Sequence, residues 1–128
     1  MMTEAELWHM NLLAAENTFA GMENLATIIF AYLATAYFVG GKLSRFQAVL
    51  ATVFFVFVAS VFGAYAYTEL RRAVYFLNEL KENYGVSEMV PNDVIVPVGA
   101  IVLALLIPAC VYFMYQVRRN ANAVESTD

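Results

Sequence analysis

The sequence predicts an all-α integral membrane protein with three transmembrane helices, the first two carrying helical extensions on the outer side. Three observations predict it. Phe46 to Tyr67 (FQAVLATVFFVFVASVFGAYAY) is a run of 22 residues without a charge, and as a helix it reaches about 33 Å against a hydrocarbon core of about 30 Å. Charged residues are absent from 24–41, 46–68 and 94–117 alike, so one chain holds three such stretches. Charged residues make up 14% of the whole, against about 25% in soluble domains. A chain of 128 residues allows a single membrane domain.

In order, the expected segments are an outer or interfacial helix 4–22, a first span 23–39 and a second span 46–67 that continues as an amphipathic helix 68–84. A loop 85–93, a third span 94–117 and a disordered tail 120–128 follow. Thr3 and Glu6 have capping-box spacing and start the first helix. No Pro occurs before Pro91, so a helix from Glu4 to Val39 is allowed, with a break near Gly21 as the alternative. Trp8, Leu12, Ala15 and Phe19 form an apolar seam on its outer half, and Trp8 fits a headgroup-level anchor. Thr27, Ala31 and Thr35 repeat small side chains at i+4, a face on which a neighbouring helix can pack closely.

Gly40 to Arg45 is a tight turn in which the glycines allow a left-handed helix end, and Ser44 with Gln47 caps the second helix. So short a connection makes the first two spans antiparallel neighbours. Ala59 and Gly63 offer a second small-residue contact. Beyond Tyr67, Leu70, Ala73, Val74, Leu77 and Tyr84 share one helical face while Glu69, Arg72, Glu79 and Asn83 share the other, up to a stop at Gly85. This reads as a helix lying in the membrane interface with a solvated polar face, or as a docking arm for a partner subunit. Asn92 and Asp93 supply the next N-cap. Pro108 falls in mid-span, where the lost hydrogen bond and the clash with the Ala104 carbonyl predict a kink. Tyr112, Tyr115, Arg118 and Arg119 read as an interface belt.

Lys and Arg positions set the threading. With the N-terminus outside, Lys42, Arg45, Arg118 and Arg119 lie inside; Arg71, Arg72 and Lys81 lie outside among acids. The expectation is N-out and C-in. The first basic residue is Lys42, so no charged leader precedes an apolar run; with the short loops, this favours a bacterial inner membrane.

One constellation invites a functional reading. His9, Glu16 and Glu23 are seven residues apart, about 20° short of two helical turns, so they align on one face. Asn17 and Asn24 sit beside the two carboxylates, and Thr27 carries the line into the first span. Such a line is a solvated stripe, a polar seam between subunits that fixes register, or an ion path in which carboxylate rings attract cations. Steps of about 10.5 Å along the axis keep the three from sharing one metal ion within a chain.

HExxH, GxSxG, CxxC and phosphate-loop motifs are all missing, and the single His and single Cys are far apart in sequence, so neither an enzyme nor a cofactor is expected. Nor is nucleic acid expected, because no basic footprint is present. The expected partners are the lipid bilayer and, through self-association or docking, other membrane protein. The leading expectation is an accessory or interaction subunit of a membrane complex or homo-oligomer. The alternative is a homo-oligomeric cation channel or conductance regulator with Glu16 and Glu23 at its outer mouth.

Overall fold

The structure, a computed structural model, describes residues 1–87 and 92–126, excluding the side chains of Asn92 and Asp93. It consists of α1 (Glu4–Val39), a short 3₁₀ turn (Gly40–Lys42), α2 (Arg45–Tyr84) and α3 (Asn92–Glu125). All three helices are long and apolar enough to cross a membrane.

Both capping boxes form. The Thr3 hydroxyl accepts the Glu6 N–H while the Glu6 carboxylate accepts the Thr3 N–H. Ser44 and Gln47 repeat the exchange at the start of α2. The α1 helix runs through Gly21 without a break. At the far end of α2, Gly85 takes the left-handed conformation (φ 68°) and donates its N–H to the Lys81 carbonyl, which is the Gly-terminated stop expected there.

The α1–α2 hairpin is the body of the molecule. Leu7, Ala14, Thr18, Gly21, Leu25, Ile29, Tyr32 and Ala36 are the buried residues of α1. Ala48, Phe55, Ala59, Gly63, Ala66, Ala73 and Leu80 are buried on α2, together with Glu69. The steps of three and four residues are those of a coiled-coil seam, and most of the seam residues are small, which lets the two backbones approach closely. A Cβ on Gly21 would stand 3.2 Å from the Ala66 Cα and 3.0 Å from the Ala66 Cβ. Near the turn the seam holds Tyr32, stacked on Phe55 at 4.1 Å between ring centroids. The Tyr32 hydroxyl meets Thr52 Oγ1 at 2.8 Å, so the phenol carries a partner into the apolar core.

Several expectations are corrected here. Leu12 and Phe19, from the expected outer seam, are exposed; the smaller Ala14, Thr18 and Gly21 give α2 a closer approach. The 68–84 segment continues α2, and its end is paired with the start of α1, where the Tyr84 hydroxyl donates to the Met2 carbonyl. Gly40 is right-handed (φ −55°), so the α1 end is not the left-handed cap that was expected. The two glycines instead make room for α3: a Cβ on Gly40 would lie 3.3 Å from Met114 Sδ, and one on Gly41 only 2.6 Å from Ala121 Cβ.

Residues 120–125 belong to α3 rather than to a disordered tail; the last two positions of the expected tail, 127–128, lie outside the described residues. The helix already includes Asn92, two residues before the expected span, and the N-cap expected of Asn92 and Asp93 rests on side chains outside the described set. Pro97 and Pro108 both sit within this one helix. Among its described residues only Cys110 and Met114 are buried.

The Gly41 contact yields a direct test. Gly41→Ala should destabilise the fold by about 1–3 kcal/mol through overpacking against Ala121, and Ala121→Gly in the same chain should recover most of that loss. Thermal unfolding of the single and double variants measures both effects.

Candidate functional site

The polar residues of the half of the hairpin far from its turn fall into two groups on opposite sides of α1. The first group lies in the hairpin seam. Glu69 is 6% exposed, although sequence periodicity places it on the solvated face. Its carboxylate accepts from Arg72 Nη1 at 3.0 Å and from Asn17 Nδ2 at 3.4 Å. Asn11 Nδ2 donates to the Ala73 carbonyl at 2.7 Å, one turn further out. Thr18, also buried, turns its hydroxyl to the Ala14 carbonyl of its own helix. Two asparagines and one carboxylate thus lock the register of α1 against α2, and the charge is compensated within the seam. Only Asn17 belongs to the line foreseen from heptad spacing. Glu69 and Asn11 lie outside that line, because their roles exist only once α1 and α2 are paired.

The second group is the rest of that line. His9, Glu16, Glu23, Asn24 and Thr27 are all exposed, on the side of α1 turned away from the seam. At 100° per residue Glu16 and Glu23 stand roughly opposite Thr18 and Leu25, which face α2. Thr27 Oγ1 donates to the Glu23 carbonyl, and Thr35 Oγ1 to the Ala31 carbonyl, so these hydroxyls are satisfied by their own helix. Ala31 and Thr35 are likewise exposed. Of the four small residues singled out for helix packing, Ala59 and Gly63 are buried, the latter facing Leu103 of α3, while Ala31 and Thr35 lie on this open face.

Glu23 has an informative depth. The contacts Asn17–Glu69, Gly21–Ala66 and Tyr32–Phe55 define the antiparallel register. By that register Glu23 lies level with Gly63 and Ala64. This is about one turn, or roughly 6 Å, inside Tyr67 at the end of the charge-free run.

The start of α1 and the far part of α2 carry two shifted groups. The Thr3 backbone N–H, seconded by its hydroxyl, holds the Glu6 carboxyl below the usual carboxylate range. The Glu79 carboxylate, by hydrogen bonding and by charge, pushes the Tyr75 phenol up. Both groups are fully exposed and belong to local helix chemistry. No group of three or more His, Cys, Asp or Glu side chains able to hold a metal occurs among the described residues.

A third polar feature ties down the other end. Arg118 Nη1 donates to the Gly40 carbonyl at 3.2 Å and to the Leu43 carbonyl at 2.7 Å. It thereby satisfies carbonyls left open where α1 ends. Sequence reading assigns Arg118 to an interface belt; its grip on the turn becomes visible only with α3 in place. Comparison of the chain with family models, with curated proteins and with solved structures finds no match.

The seam can be tested by substitution. Glu69→Leu with Asn17→Leu, which removes the buried carboxylate and its half-buried donor together, should be milder than Asn17→Leu alone plus Glu69→Leu alone. A coupling of about 0.5–1.5 kcal/mol is expected from a double-mutant cycle read by thermal unfolding. Arg72→Ala should destabilise the fold by about 1–3 kcal/mol, because it leaves the Glu69 carboxylate, its side chain only 8% exposed, without its cation.

Proposed function

We propose that this chain is a small multi-pass membrane protein that works as an interaction or accessory subunit, and that the open face of α1 is where it meets its neighbour. The observation that carries this reading is Glu23. Its carboxylate is exposed on a helix face level with residues inside an apolar run, where lipid gives a charge no partner. A neighbouring helix bearing a donor removes that penalty. Below Glu23, the small exposed Thr27, Ala31 and Thr35 leave a shallow surface with no unsatisfied hydroxyl, over which another backbone can pass closely. Large apolar side chains such as Phe30, Phe54, Phe57 and Leu105 are exposed on all three helices, as a lipid-facing surface requires.

In this reading the N-terminus is outside and the C-terminus inside. Lys42, Arg45, Arg118 and Arg119 gather where α1 turns into α2 and α3 ends, which fits the inward side. The exposure of both Glu16 and Glu23 on one line also favours a second reading, a ring of protomers whose stacked carboxylates attract cations.

Mass in mild detergent separates these. Glu23→Leu should convert the wild-type assembly to a lower mass if the open face is the contact; an unchanged mass removes that assignment. Liposome flux that is the same for Glu23→Gln and wild type removes the ring. Single cysteines introduced as Glu4→Cys and Glu125→Cys should label from outside and inside respectively. A polypeptide that stays monodisperse in plain buffer overturns the membrane reading altogether.

A further inference from the structure

At the opposite end from Glu23, α2 begins where α3 finishes, and a cleft of about 750 Å³ opens between them. Its rim is Arg45, Arg118 and Arg119; beneath the rim its wall is Val49, Val53 and Val111. No described lining residue is acidic. From Arg45 to Val53 the wall descends about 12 Å along α2, and Val49 and Val53 are exposed.

Three guanidinium groups around one opening are a like-charge arrangement that a counter-anion relieves. Arg45 adds to the strain because it occupies the first turn of α2, where the helix dipole is already positive. Arg118 uses Nη1 on the Gly40 and Leu43 carbonyls and retains other N–H donors of its five. Arginine forks match phosphate oxygens in pairs. A free phosphate, however, would make no use of the valine wall. An amphiphile uses both parts.

We infer that this cleft is a binding site for one phospholipid with a net negative headgroup, its phosphate on Arg45 and Arg119 beside Arg118 and one acyl chain along Val49, Val53 and Val111. The site rests on the membrane reading given above, in which this end faces the leaflet where anionic lipids and basic pockets meet. Thr52, also in the wall, is occupied with the Tyr32 hydroxyl and presents no competing demand. Arg118 holds the turn with or without lipid, while Arg45 and Arg119 serve the headgroup.

The full chain, purified in an uncharged detergent, is titrated with phosphatidylglycerol, phosphatidylcholine or inorganic phosphate, and thermal unfolding is followed. Ligand bound to the folded state alone raises the midpoint, so phosphatidylglycerol should raise it and the other two should not. Arg45→Gln with Arg119→Gln should weaken the phosphatidylglycerol effect about tenfold or more. Val53→Trp, which keeps every arginine and fills the wall, should weaken it too. Equal protection by phosphatidylcholine overturns the headgroup assignment, and full protection by inorganic phosphate overturns the lipid in favour of a bare anion. Native mass spectrometry of wild type and Val53→Trp reads lipid occupancy even if the arginine variant fails to fold; equal occupancy in the two sinks the site. Each of these failures leaves a detergent-requiring chain, so none is confused with failure of the membrane reading.

Discussion

Close approach of α1 to α2 is the constraint on which the molecule depends. It is achieved by small side chains at buried positions: Ala14, Gly21 and Ala36 on one helix, Ala48, Ala59, Ala66 and Ala73 on the other. In the membrane reading proposed above, helix association draws on van der Waals contact rather than on expulsion of water, and contact area depends on how near the axes come. Larger residues at these points would hold the helices apart and open the polar contacts as well. Tyr32 and Phe55 are the exception, and their flat stacking keeps the local gap thin.

The polar groups follow the same geometry. Asn11, Asn17 and Glu69 bridge the part of the seam far from the turn, and the pair Tyr32 and Thr52 bridges the part near it. Outside the seam, Thr27, Thr35 and Thr68 turn back on their own helix carbonyls. The consequence is a division of labour along α1. Polar atoms facing α2 set register, while those facing away, His9, Glu16 and Glu23, are left without a role in holding this chain together.

The sequence made the elements legible and left their pairing obscure. Both helix starts and the Gly85 stop were readable because capping chemistry is local: a hydroxyl, a spacing of three residues and a residue that tolerates positive φ. The charge-free runs were readable because chain length and lipid thickness can be compared directly. Glu69 was not, because an acid among Arg71, Arg72 and Glu79 reads as part of a wet face until α1 supplies Asn17. Gly40 and Gly41 were misread for a related reason. A glycine pair after a helix signals a left-handed end, yet here its service is steric, to Met114 and Ala121 some seventy to eighty positions away. Residues 120–125 looked unstructured from their polarity, and what makes them helical is their continuation of α3 beside that turn.

The fastening of α3 has a mechanical corollary. With Cys110 and Met114 buried, Leu103, Leu106, Ile107 and Val111 packed against the core, and Arg118 and Ala121 gripping the turn, its anchorage runs from mid-helix to the turn and is strongest there. A lateral pull on its other end would peel it from the hairpin progressively, like a strip lifted from its loose edge. The guanidinium clasp would be the last point to let go.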